Sequence, residues 1–233
     1  MCLHDAGASG QRFDGLLDAL EPQHSPIAYD QPGHGRSDGL DSLGSIDAMV
    51  EHLKGLVDMW SLPTLVLVGE GMGAQIAQEF ASRWPANVEG IVLIGGVVPS
   101  GLDEEINRLE MITTGKARRE FDRSGYAPST KREIYQAAFA DWVKTDPRTT
   151  LGDRRAQRAW ELSSQMGVPT VVVVGEHQDD ESVSRAQSLA DSFTAGSVRR
   201  VEGAGVNGVI EQPESVAQIV GDLIAASGDR GQL

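Results

Sequence analysis

Thr64-Leu-Val-Leu-Val68, Gly69-Glu-Gly71-Met-Gly73 and Ala74-Gln-Ile-Ala-Gln-Glu-Phe80-Ala-Ser-Arg-Trp84 form the stretch from which the fold is read. The first part is a short run of Val and Leu, which predicts a fully buried strand. The last part places Ile76, Ala77, Phe80 and Ala81 on one helical face. Between them lies a glycine-rich sharp turn. Strand, tight turn and helix in succession predict one unit of an α/β sheet.

That turn supports three readings. It has the setting of the Gly-x-Ser-x-Gly elbow that presents a nucleophile, with Gly69 and Gly73 as the outer glycines and Gly71 where the nucleophile would stand. Gly69, Gly71 and Ala74 also spell the dinucleotide fingerprint Gly-x-Gly-x-x-Ala. That pattern wants an acid about 20 residues on to hold a ribose, but the next strand, Gly90-Ile-Val-Leu-Ile94, runs into Gly95-Gly96. The third reading is a βα turn whose glycines serve close packing alone.

Outward from the turn, strand and helix patterns alternate. Met1–His4 reads as a stub of strand, and Asp5-Ala-Gly-Ala-Ser-Gly10 as a loop of small residues. Phe13, Leu16, Leu17 and Leu20 mark a helix, Ser25–Tyr29 a strand, and Ile46–Trp60 a helix with Ser45 as its cap. After Ile94, helical patterns run over Leu102–Phe121, over Lys131–Trp142 and again up to Met166. Val168–Val174 reads as a strand, Ser182–Phe193 as a helix, Ser197–Val201 as a strand and Pro213–Ala226 as the last helix. The alternation predicts a mostly parallel sheet in an α/β fold.

The 233 residues, 40% of them hydrophobic, suffice for one sizeable domain with an elaboration. A single Cys leaves no intramolecular disulfide and fits a reducing compartment. No apolar run approaches a membrane span, and the first residues lack the basic start and long apolar core of a signal peptide, so a cytoplasmic location is expected. The net charge of −14 argues against nucleic-acid and anionic-membrane partners. Charge is uneven, however. Residues 101–160 carry twelve Lys and Arg against ten Asp and Glu, while the remainder carries eight against twenty-four. The five His are scattered without metal-ligand spacing, so no metal or cofactor is expected.

Four segments in order carry a resemblance that spans nearly the whole chain. His4-Asp5-Ala-Gly-Ala-Ser9 resembles a His-Gly-rich oxyanion loop. Asp30-Gln-Pro-Gly-His-Gly-Arg-Ser-Asp38 is similar to an Asp-x-x-Gly-x-Gly-x-Ser loop. Val173-Val-Gly-Glu-His177 resembles the strand end that carries an acid. Gly203-Ala-Gly-Val-Asn207 with Glu211-Gln-Pro-Glu214 resembles a Gly-x-Gly-His segment followed by Glu-x-Pro. Together they resemble the α/β-hydrolase superfamily, in its epoxide-hydrolase and esterase-like branch. The resemblance implies an α/β-hydrolase fold with a core over 1–98 and 167–233, and a small helical cap over 99–166 that roofs the pocket. It also implies two N-terminal strands ahead of the oxyanion loop that are missing here. With that edge lost, the Ser25–Tyr29 strand would be exposed and a homodimer through it becomes plausible.

Against that pattern the catalytic triad is degenerate. The nucleophile position is Gly71, the base position falls on Val206, and the acid position falls on Gln178, or on Asp179 after a one-residue shift. The mechanism needs a nucleophile, a base to activate it and an acid to orient the base. Asp5 stands where a glycine normally follows the oxyanion-loop His, placing negative charge where an oxyanion should be stabilised. A glycine at the elbow relieves a backbone strain of order 1–3 kcal/mol once the nucleophile is gone. The chain is therefore expected not to be a serine hydrolase.

Asp5 and Glu70 flank the former oxyanion hole and are the candidates for proton transfer in its place. His4, Ala6, His34, Met72, His177, Asp179 and Asn207 are the expected pocket residues, since this fold gathers ligands at the carboxyl ends of its strands. Arg118, Arg119 and Arg123 could steer an anionic substrate, or form a solvated face. Three functions remain open. One is a non-hydrolytic enzyme, of lyase, cyclase or isomerase type, on a small hydrophobic metabolite. The others are a catalytically dead protein that binds a ligand or partner, and a hydrolase whose relocated carboxylates activate water. The first is the expectation taken forward.

Overall fold

A computed structural model of the chain describes residues 1–39, 41–96, 99–164 and 166–228. The boundary expected at 98, and the end of the 167–233 segment, lie outside the described residues. Five parallel strands form one sheet: β1 (Cys2–Leu3), β2 (Leu65–Glu70), β3 (Val88–Ile94), β4 (Thr170–Gly175) and β5 (Gly196–Val201), side by side in that order. Helices connect them: α1 (Asp14–Leu20), α2 (Ile46–Met59), α3 (Met72–Arg83), α4 (Leu102–Thr113), α5 (Arg132–Trp142), α6 (Pro147–Ala159), α7 (Asp180–Asp191), α8 (Gly208–Glu211) and α9 (Pro213–Gly228). This is the α/β-hydrolase fold.

The twofold alternation of a strand splits its apolar run between two cores. In β3, Ile91 and Leu93 face the layer built from α2, α3 and α7, where Met49, Leu53, Ile76, Phe80 and Ala190 pack. Val92 and Ile94 face the opposite layer, with Leu16 and Leu20 of α1 and Val216, Val220 and Leu223 of α9. Both faces of the sheet are covered, which is why these strands read as continuous Val, Leu and Ile rather than alternating with polar residues. Ser45 caps α2 as expected, its Oγ accepting the Ala48 N–H at 3.1 Å.

Three expected elements differ. Ser25–Tyr29 forms no strand; Ala28 makes a single parallel bridge to Cys2, and Pro26 lacks an N–H for a ladder. The helix expected to reach Phe121 stops at Thr113, closed by Gly115 at φ +73°. There the Gly115 N–H donates to the Ile112 carbonyl and the Lys116 N–H to Met111, a Schellman ending. The third helical pattern ends at Ala159, well short of Met166.

The glycine turn after β2 is sterically obligatory. A Cβ on Gly69 would overlap the Gly73 carbonyl and Ala74, and one on Gly73 would overlap the Leu3 carbonyl of the neighbouring strand. Those two glycines let α3 start directly against β1 and β2. Farther along α3, Glu79 is fully buried and fastens the return from α6 to the core. Its carboxylate accepts Trp160 Nε1–H and the Ser163 N–H at 3.2 Å each, the Ser163 hydroxyl, and Arg83 Nε–H at 2.8 Å.

Glu79→Ala should therefore lower unfolding stability by about 1–3 kcal/mol in urea titrations, since the Trp160, Ser163 and Arg83 donors lose their shared buried acceptor at once. A loss below about 0.5 kcal/mol would show that the 160–163 segment is held by other contacts.

Candidate functional site

The centre lies at the carboxyl ends of β1 and β2. Gly71 precedes α3 at φ +54° and ψ −112°, so the elbow keeps its left-handed turn without a side chain. A Cβ on Gly71 would run into the carboxyl group of Asp5, which stands two residues beyond the end of β1. Asp5 Oδ1 accepts the Met72 N–H at 2.8 Å. That amide belongs to the residue after the nucleophile position, where an oxyanion would be received.

Asp5 is held there from α6. Arg154 donates from Nη1 to Asp5 Oδ1 at 3.0 Å and from Nη2 to Oδ2 at 3.2 Å. The same guanidinium donates from Nε to Glu105 at 2.9 Å and from Nη1 to Gln157 at 2.6 Å. Burial pushes the Asp5 carboxyl up, but the Arg154 charge and hydrogen bonds, together with the Met72 amide, outweigh it and hold Asp5 below its ordinary value. Burial also works against the Arg154 charge, and Asp5 and Glu105 more than offset that. The Asp5 side chain keeps 27% of its surface in solvent, so the pair is screened rather than sealed.

A second pair closes the opposite side. Arg12 sits on the short 3-10 turn at Gly10–Phe13. It donates from Nε and Nη2 to the two oxygens of Glu70, at 2.6 Å each, and from Nη2 to Asn207 Oδ1 at 2.9 Å. Planar bidentate pairing of this kind is the strong form of an ion pair. Asn207 donates in turn to the Gly125 carbonyl at 3.2 Å. Glu211 pins the same loops, accepting the Ala127 and Gly205 amides and the Thr130 hydroxyl.

These bonds count against the proton-transfer role expected of Asp5 and Glu70. Each carboxylate already serves a guanidinium, and Asp5 is a weaker base than an ordinary carboxylate. The two arginines were not singled out in the sequence. The segment between 101 and 160 does send a cation to the centre, but it is Arg154. Arg119 instead lies 4.0 Å over the Trp142 ring and donates to the Trp142 carbonyl, and Arg123 lies over Tyr135.

The other expected residues divide. Asn207 joins the centre through Arg12, and Met72 through its amide, its side chain lying in the core beside Ala6. His177 and Asp179 are both exposed, and Asp179 caps α7 by accepting the Ser182 N–H at 2.7 Å. Gln178 turns its Oε1 to the Gly175 N–H at 2.7 Å. Val206 is 47% exposed and bonds through its backbone to Gly125. Among the described residues no group of His, Cys, Asp and Glu could hold a metal ion, and no helix is long and apolar enough to cross a membrane.

His4 and His34 are buried behind the oxyanion loop, their rings 4.8 Å apart. His4 Nε2 accepts the Gln31 N–H at 3.1 Å while Nδ1 donates to the Asp5 carbonyl at 2.8 Å, which defines a neutral ring. Burial, and then His34, pull it down to about 4. His34 is the opposite case. Both ring nitrogens face acceptors, Asp153 Oδ2 at 2.7 Å and the Pro32 carbonyl at 3.2 Å. Burial works against its charge, but these partners prevail and raise it above its ordinary 6.5. Asp153 also accepts the Gly7 N–H at 3.4 Å, so α6 is tied to the oxyanion loop twice.

Comparison with known proteins agrees with the fold. An alpha/beta hydrolase family model matches residues 1–219. Human monoacylglycerol lipase ABHD6 is 23% identical over 97% of this chain and 75% of its own length. A 2-hydroxy-6-oxononadienedioate/2-hydroxy-6-oxononatrienedioate hydrolase of Pseudomonas putida is 34% identical over 40% of this chain and 35% of its own. The solved structure of a thermophilic esterase from Thermogutta terrifontis superposes with a TM-score of 0.86 at 18% identity, covering 97% of this chain and 89% of that one.

The two histidines give stability opposite slopes with pH. The His34–Asp153 pair contributes fully below pH 6.5 and is lost as pH rises through the raised value of His34. The neutral burial of His4 costs nothing above 6.5 and becomes a penalty as pH falls from there towards 4. Urea denaturation across this range should show a maximum, and His34→Gln should remove the alkaline fall while lowering the maximum by about 2–4 kcal/mol. An unchanged alkaline fall in His34→Gln would mean that another group governs it.

Proposed function

The chain belongs to the alpha/beta hydrolase family, and from that premise we propose that its former catalytic centre is a binding site without acyl-transfer chemistry. The reading is of a non-hydrolytic, ligand-binding protein on a hydrolase scaffold. One observation carries it: the Asp5 carboxylate fills the space above Gly71 and takes the Met72 amide. An ester hydrolase needs that space for its nucleophile and that amide for the developing oxyanion. Here a fixed negative charge already has both, and Val206 offers no base.

Turnover by a carboxylate fits the arrangement less well. A general base must be free to reach the proton it takes, and its basicity should suit neutral pH. Asp5 is engaged by Arg154 and Met72, and Glu70 by Arg12 through both oxygens. This disfavours the lyase-type expectation and equally a hydrolase that activates water through these residues. Two matched ion pairs instead give a rigid polar floor, which suits recognition of a small molecule.

The wild-type protein should not react with a fluorophosphonate probe and should not turn over an aryl ester. Gly71→Ser alone should stay silent and lose about 1–3 kcal/mol of stability, because its new side chain meets Asp5 in a left-handed turn. Labelling of the wild type, or a stable and active Gly71→Ser, would sink the reading. A thermal-shift screen of small metabolites supplies the positive arm: at least one stabilising compound that is recovered chemically unchanged is expected, and one recovered converted would establish an enzyme.

A further inference from the structure

A cleft of about 180 Å³ runs beneath α5, against the 3-10 turn before α1 and the start of α8. Ile134, Ala137, Ala138 and Asp141 recur at helical spacing along one side of α5, and Val209, Ile210 and Pro213 form the other wall. The walls are therefore mostly aliphatic.

Asp141 is the exception. Its side chain is buried, at 5% exposure for the residue. Its carboxylate accepts the Ser9 hydroxyl on Oδ1 and the Ser9 N–H on Oδ2 at 3.2 Å. Among the described residues no Lys, Arg or His forms an ion pair with it. Lys144, one turn along, donates to Gln11 Oε1 at 2.8 Å instead. Arg12 also lines the cleft, but its charge is matched by the bidentate contact with Glu70. The Asp141 carboxylate thus has no cationic partner among the described residues. Buried charges are paired, and a carboxylate can accept more than the two bonds Ser9 supplies.

We propose that this cleft is a binding site for a small aliphatic ammonium compound, whose cation pairs with Asp141 and whose branched alkyl body lies against Ile134, Ala138, Val209 and Ile210. A carboxylic acid of the same shape would meet Asp141 as a like charge, and a neutral alcohol would leave it unpaired. Selectivity for the amine therefore follows from one residue, and fit from the walls.

Isothermal titration and backbone amide shifts with isopentylamine, isopentanol and isovalerate test this on the full chain. The amine should bind and move the amide signals of Ser9, Ala138 and Val209, and the alcohol and acid should not. Asp141→Asn should weaken amine binding on the order of tenfold or more. Ala138→Leu fills the cleft without touching its charge and should abolish binding, so it decides the matter even where Asp141→Asn fails to fold. Equal binding of alcohol and amine, retention in either variant, or no amine response in the wild type overturns the proposal. The site shares only Arg12 with the centre beneath α6, so the two readings fail separately: fluorophosphonate labelling leaves this one standing, and loss of amine binding leaves the other.

Discussion

The structure depends on a carboxylate held between an amide and a guanidinium. Asp5 accepts from Met72 at the elbow and from Arg154 on α6, two elements far apart in the chain. Remove Asp5 and the first turn of α3 loses the partner of its Met72 N–H, while Arg154 keeps only Glu105 and Gln157. Put a side chain at position 71 and the carboxylate must leave. Residues 5, 71 and 154 thus form one steric and electrostatic unit. The net charge of the unit matters as much as its shape. A lone acid in that cavity would be driven towards its neutral form, and Arg154 keeps it charged.

The same logic extends over the face of α6. This helix meets α4 through a small apolar cluster of Leu102, Ile106, Leu109 and Leu151. Towards the oxyanion loop, its named contacts are polar: Asp153 to His34 and Gly7, and Arg154 to Asp5. Apolar packing is nearly indifferent to small changes of pH, whereas paired buried charges are not. Protonation of His34 strengthens one of the polar contacts by which α6 meets the core. That dependence is built from residues that a purely apolar interface would not need.

Much of the fold was legible in the sequence because period and burial speak locally. The runs at Leu65–Val68, Gly90–Ile94 and Val171–Val174 announce strands covered on both faces, and Ser45 announces a helix start. The failures are equally physical. Ser25–Tyr29 has strand-like residues, but Pro26 and a single bridging partner leave no ladder. The pattern after Leu102 continues past Gly115, although that glycine, in a left-handed turn, ends the helix. At the site, the glycine-rich turn around Gly71 could be read directly from the sequence. The ion pairs around it could not, because Arg12 and Arg154 acquire meaning only through partners 58 and 149 residues away. His177 and Asp179 looked like site residues for the opposite reason: a capping turn and a functional loop use the same polar types.

Arg12 connects the centre with the cleft under α5, since it pairs with Glu70 and also lines the cleft. Glu70 takes the Nε–Nη2 edge of the guanidinium through both of its oxygens, so the charge of Arg12 has its partner on the side of the centre. Asp141, fixed by Ser9, lines the cleft among aliphatic residues. Catalysis requires groups whose interactions strengthen in the transition state, whereas binding requires only that the ground state be matched. A scaffold whose ion pairs are already satisfied is poorly suited to the first and well suited to the second. The glycine at position 71 and the Asp5–Arg154 pair are one arrangement: the carboxylate occupies the space that a side chain at 71 would need, and the guanidinium holds it there.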